Sequence, residues 1–195
     1  MGVRSRISDN FMQSSTVFSH FPGNTSFSSS LNASNVRVLR VLGIDPGLAS
    51  TGWGVVDFSN NRYRMVNYGV VETTPEMTHG ERLCAIYNRL QAVIQEYRPH
   101  EAGMETLYFA KNASSAMNVA EARGVVTLCL AQNCVQLGEY TPNTIKQSVT
   151  GTASADKKLV QDYVKLLLGL ETVPKPDHAA DALAAALTHI HLRKL

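Results

Sequence analysis

Apolar positions recur at strand or helix spacing only from about residue 37 onward. Residues 1–36 are rich in Ser and Asn, poor in aliphatic side chains and without periodicity. They are expected to be a disordered extension, with residues 37–195 as the folded domain. Strand-like segments follow at 38–45, 51–58 and 62–72, and Asn60-Asn61 marks a hairpin turn between the last two. In the first segment Val38, Leu39, Val41 and Leu42 lie on both sides of Arg40, which suits a strand buried on both faces. A helix is predicted over 79–97, with Thr78 and Glu81 as a capping box and Pro99 as its stop. Next come a short strand from Ala102 to Thr106, a long helix rich in small residues over 112–135, and a strand at 135–140. Helices at 142–149 and 155–168, the second closed by Gly169, precede an Ala-rich helix over 177–192. The order β-β-β-α-β-α-β-α-α-α predicts an α/β fold: a mixed five-stranded sheet with helices on both faces.

Composition narrows the class only a little. Apolar content of 44% and charged content of 17% are ordinary for a globular protein of 195 residues. No window approaches the roughly 18 apolar residues of a membrane span. Cys84, Cys129 and Cys134 lie in apolar helical text without metal-ligand spacing, and are expected to be small core residues in a reducing compartment. The net charge of +2 is uneven: residues 1–40 hold four arginines against Asp9, leaving 14 basic and 15 acidic residues beyond. Residues 1–36 are Ser-rich with few acids, as in an organelle transit peptide. They show no amphipathic Arg-bearing helix, which favours an upstream start or a dispensable tail.

The chemistry begins with Gly43-Ile-Asp-Pro46. The first strand ends on Asp45, and Pro46-Gly47 turns the chain at once. A carboxylate at the inner end of a central strand is costly unless paired, and a divalent ion is the usual partner. Glu105 ends the fourth strand, which in this topology can lie beside the first. Two carboxylates meeting there repel unless a cation lies between them. His178 and Asp181, three apart, share one face of the last helix, and Asp181 is set in small apolar text. Three acids and a histidine converging in this way suit hard cations, two of which commonly serve in-line phosphodiester hydrolysis. Asp177 is expected to be the helix N-cap, although at four residues from Asp181 it could also reach the same face. His189 and His191, near the helix C-terminus, are assigned no role.

Leu42-Gly-Ile-Asp-Pro-Gly47, Glu105-Thr-Leu-Tyr-Phe-Ala-Lys-Asn112, Ala122-Arg-Gly124 and His178-Ala-Ala-Asp-Ala-Leu-Ala184 resemble the RuvC family of crossover-junction endodeoxyribonucleases. The resemblance covers about residues 38–192. It implies an RNase H-like fold, a homodimer and Mg²⁺-dependent paired nicking of Holliday junctions in recombination and repair. Two Mg²⁺ ions per subunit are expected, with Mn²⁺ able to substitute. By the same resemblance Asp45, Glu105 and Asp181 match the catalytic, metal-binding carboxylates, and His178 matches a fourth position that is Asp or His. Tyr108 falls where the family has an aromatic beside the junction centre, and Lys146 and Lys157 where it has basic residues near the scissile phosphate. The implied partners are a four-way DNA junction and a branch-migration complex of RuvA and RuvB. The implied location is the bacterial cytoplasm, with an organelle-targeted form as the alternative that residues 1–36 leave open.

The residues themselves agree with a nucleic-acid partner. Lys146, Lys157, Lys158 and Lys165 gather within twenty residues, a local patch that beside a metal site can clamp phosphate, although Asp156 and Asp162 dilute it. Tyr108 could stack on an unpaired base. A sugar-kinase or actin-type ATPase also uses a Gly-Ile-Asp-Pro-Gly turn, but needs a second domain of this type and a second phosphate loop. A nuclease for RNA–DNA hybrids or ribosomal RNA maturation fits less well with Tyr108-Phe-Ala-Lys-Asn112 and the His178/Asp181 pair. A non-catalytic junction binder should have lost one of the acids, and none is missing.

Overall fold

The computed structural model describes residues 37–106 and 113–193, except for the side chains of residues 113–115. The expected extension at 1–36 and the expected base-stacking Tyr108 lie outside the described residues. Five strands form one sheet: β1 (Leu39–Asp45), β2 (Ser50–Ser59), β3 (Arg62–Glu72), β4 (Glu101–Glu105) and β5 (Gln136–Tyr140), in the order β3-β2-β1-β4-β5. β1 is central, antiparallel to β2 and parallel to β4, while β4 and β5 are parallel. Asn60 and Asn61 both take positive φ, 49° and 57°, as a tight two-residue hairpin turn requires.

Helices α1 (His79–Tyr97) and α2 (Ala113–Gln132) pack on one face; α3 (Pro142–Thr150), α4 (Lys157–Leu167) and α5 (Asp177–Leu192) pack on the other. The Thr78–Glu81 capping box opens α1. Gly169 follows α4 at φ 62°, a left-handed turn that glycine adopts without strain. α2 ends at Gln132, three residues short of the sequence expectation, because the chain turns at Cys134 with φ 55°. No helix among the described residues is long and apolar enough to cross a membrane.

The expected core cysteines need correction. Cys129 is buried, but Cys84 and Cys134 are exposed. Cys84 misses the Ile86, Leu90, Val93 and Ile94 stripe that α1 buries, and Cys134 sits in the turn after α2. Asp177 is not the N-cap either. Pro176 holds that place and can offer no side-chain acceptor, while Asp177 is the first helical residue.

Alternation along the strands decides what faces what. Leu42 and Ile44 point into the core beneath α1 and α2, with Trp53, Val55 and Met104. Val41 points to α5, so Gly43 and Asp45 share its face. The parallel register sets Gly43 opposite Gly103, which places Glu105 on that same face. α5 lies directly on this surface. A Cβ on Gly43 would stand 1.9 Å from the Ala182 carbonyl oxygen, and one on Gly52 1.9 Å from that of His178. The helix is buried almost all round, with Leu183 and Leu187 fully enclosed. Each of those leucines contributes roughly 1.5–3 kcal/mol, and the alanines between them let the two backbones meet.

Gly43→Ala should therefore lower unfolding free energy by about 3 kcal/mol, since neither backbone can move aside cheaply. Gly80→Ala, where an added Cβ meets nothing within 4 Å, should be neutral or stabilise by up to roughly 0.5 kcal/mol. Urea melts of the two variants check the contrast; equal midpoints would mean that α5 is not held this tightly.

Candidate functional site

The first turn of α5 is delivered to the end of β1 by the contact just described. Gly52 pairs with Asp45 across the sheet, and the His178 backbone rests on Gly52. The His178 imidazole thereby reaches Asp45, with Nδ1 2.7 Å from Oδ2. Asp181, one turn on, completes a group in which one ligand atom each from Asp45, His178 and Asp181 lies within 4.8 Å of the others. Glu105 stands outside that tight group but belongs to the same charged centre. It lines a groove of about 210 Å³ with Ile145, Lys146, Lys157, Val160 and Asp181.

The electrostatics follow from crowding acids in a half-buried place. Burial, then repulsion from Asp45 and Asp181, pushes the Glu105 carboxyl up to about 7, although Lys146 and Arg123 pull the other way. Asp181 is raised too, chiefly by burial, against a hydrogen bond from Lys157. The hydrogen bond to Asp45, assisted by the Asp45 and Asp181 charges, raises His178 towards its cationic form. Burial works against the Lys157 ammonium, but Asp181 and Asp177 outweigh it and raise its pKa. Its Nζ lies 3.0 Å from Asp181 and 3.4 Å from Asp177, and Lys175 reaches Asp177 at 3.3 Å. The centre thus gathers carboxylates and brings its own cations, His178 and Lys157, to hold them.

Of the four residues expected at the metal site, Asp45, His178 and Asp181 form the tight group, while Glu105 lines the adjoining groove with Asp181, Lys146 and Lys157. The sequence reading missed three features. Arg123 of α2 donates to the Glu105 backbone carbonyl and to the Glu139 carboxylate. Asp177 helps to hold Lys157. His189, expected to be idle, is buried between Glu101 and Tyr140, at 2.8 and 2.9 Å. The Ala122-Arg-Gly124 motif was visible in the sequence, but only the fold shows what its arginine touches.

Sheet order 3-2-1-4-5, one antiparallel and one parallel neighbour for the central strand, and a helix crossing it define an RNase H-like protein. The family model described as "Crossover junction endodeoxyribonuclease RuvC" matches residues 41–189. Crossover junction endodeoxyribonuclease RuvC of Treponema denticola is 59% identical over 162 residues, 82% of this chain and 91% of that protein. Thermus thermophilus RuvC in complex with Holliday junction substrate superposes with a TM-score of 0.75 at 35% identity, covering 78% of this chain and 93% of that one. The yeast mitochondrial Holliday junction resolvase, at 16% identity and a TM-score of 0.57, shares the fold. The chain belongs to the RuvC family of crossover junction endodeoxyribonucleases.

The raised Glu105 has a consequence for stability. Between pH 4.5, the ordinary value, and about 7, the folded chain keeps a proton that the unfolded chain has released. Stability of the metal-free protein therefore falls as pH rises through this window, and the loss is complete above it. Glu105→Gln should remove the loss, gaining about 2 kcal/mol at pH 8 once solvent screening is allowed for, and nothing at pH 4. Urea titrations in chelator at the two pH values measure this; an equal gain at both would assign the effect to packing.

Proposed function

We propose that the chain resolves four-way DNA junctions by metal-dependent, paired hydrolysis of phosphodiesters, with Asp45, Glu105, His178 and Asp181 as its catalytic centre. The observation that carries this reading is the convergence of Asp45, His178 and Asp181 within 4.8 Å in a chain of the RuvC family. Carboxylate oxygens and one imidazole suit Mg²⁺, with Mn²⁺ as a substitute that accepts nitrogen more readily. Two divalent ions bound there would supply a deprotonated water and neutralise charge on the phosphate. Asp45, Glu105 and Asp181 would hold them, and His178 would act as a ligand or as a contact to the scissile phosphate.

The remaining residues prepare the site for a polyanion. Lys146 lines the groove and forms no ion pair among the described residues, which leaves its ammonium to phosphate. Lys157 is shared between Asp181 and Asp177; with Asp181 engaged by a metal ion, its ammonium would be left to Asp177 and to a DNA phosphate. The outer face of α2 supports a homodimer: Met117 and Leu128 are 64% and 54% exposed, and Gly124 between them has open space beside it. Two subunits related by a two-fold axis would match the symmetry of a junction cut in two strands. A branch-migration complex of RuvA and RuvB and a place in the bacterial cytoplasm complete this reading. Residues 37–195 form its nuclease domain.

Asp45→Asn should abolish cleavage of a four-way junction, by more than about a hundredfold in single-turnover assays, with junction binding retained. Wild-type rates in Mg²⁺ would overturn the assignment. His178→Ala should also cleave poorly, whereas His178→Asp should stay active and shift its preference towards Mg²⁺ over Mn²⁺. Linear duplex and RNA–DNA hybrid serve as the competing substrates; equal cleavage of either would remove the junction specificity.

Lys146→Ala should weaken junction binding and lower the slope of log affinity against log salt by about one, as loss of a phosphate contact does. An unchanged slope in filter-binding titrations would make this lysine ordinary surface.

A further inference from the structure

Arg123 lies near the centre, yet its hydrogen bonds go to a backbone carbonyl and to Glu139 and to none of the centre's carboxylates. Its side chain is 15% exposed and enters from α2, on the face of the sheet opposite α5. One guanidinium nitrogen donates to the backbone carbonyl of Glu105 and the other to the carboxylate of Glu139. In the parallel register Glu139 lies opposite Met104, and Tyr140 opposite Glu105. The guanidinium therefore spans the last rungs of β4 and β5. A second tie secures the same place, because the Thr106 amide donates to the Tyr140 carbonyl at 2.7 Å. β4 has only five residues and ends at Glu105, so the Glu105 side chain projects from the last hydrogen-bonded rung. Its position depends on what holds the carbonyl beside it.

We propose that Arg123 is a positioning residue for Glu105: by fastening the Glu105 carbonyl to β5, it sets where that carboxylate stands in the metal site. This rests on the reading of Asp45, Glu105, His178 and Asp181 as a metal centre. Two effects of Arg123 oppose each other. Its positive charge disfavours a nearby cation, yet the geometry it imposes favours one. Glu139 cancels most of the charge, so the geometric effect wins. Supporting contacts of this kind typically change metal affinity 10- to 100-fold.

The test is Mn²⁺ binding to the full-length protein without DNA, by calorimetry or electron paramagnetic resonance, beside single-turnover junction cleavage and a thermal melt. Arg123→Gln is expected to bind Mn²⁺ about tenfold more weakly. The double variant Arg123→Gln/Glu139→Gln, which restores the local charge balance, is expected to bind as weakly as the single one. If Arg123 acts through charge alone, the single variant binds more tightly and the double variant matches wild type; either result overturns the proposal. Arg123→Lys keeps the charge but loses the two-pronged fork, so it should recover only part of the affinity. It carries the test if the Gln variant fails to fold, and wild-type affinity in it would refute the role. Asp45→Asn is the control. If it binds Mn²⁺ as wild type does, the metal-centre reading itself fails; if it does not and Arg123→Gln does, only the positioning role fails.

Discussion

The α5 backbone passes so close to the sheet that a single methyl group on Gly43 would overlap the Ala182 carbonyl. A helix normally stands off a sheet by the thickness of two layers of side chains. Here glycines on β1, β2 and β4 and alanines on α5 remove both layers over half the helix. Dispersion and buried area at Leu183 and Leu187 hold the contact elsewhere along it. Geometry at the centre follows from this approach, because His178 and Asp181 are short side chains that reach Asp45 only from a helix lying this near.

That closeness concentrates like charge, and the neighbours are chosen to manage it. Asp45, Asp181 and Glu105 share a place where burial raises two of them. His178 and Lys157 answer from α5 and α4 and become more basic in doing so. An acid that titrates near pH 7 and a lysine shared by two aspartates are both in states that divalent ions and a phosphate backbone would change. The centre is assembled with its charge balanced internally, and that balance can be exchanged for one that includes metal and DNA.

Much of this was legible in the sequence, and the reason is local. Strand ends, the capping box and the Asn-Asn turn are set by neighbours within a few residues. The positions of Asp45, Glu105, His178 and Asp181 at element ends could be read from the same patterns. What escaped depends on distant segments meeting. Arg123 is an ordinary helical arginine until α2 is set beside β4 and β5. Asp177 looks like a cap until Pro176 takes that place and Lys157 arrives. His189 and His191 lie in one helical run, and only packing shows that the first meets Glu101 and Tyr140 while the second meets Ser148 and Tyr63. Cys84 and Cys134 were misjudged because apolar text around a residue does not reveal which way it points.

Gly43 and Gly103 face each other in register, and each is followed two residues later by an acid of the centre. The chain therefore measures its site in steps of two. Inserting or deleting one residue within β1 or β4 would rotate the acid by half a turn and drive a carboxylate into the apolar layer beneath α1 and α2. The two short strands behave as fixed rulers: the face on which each carboxylate stands is set by strand length as much as by side chain.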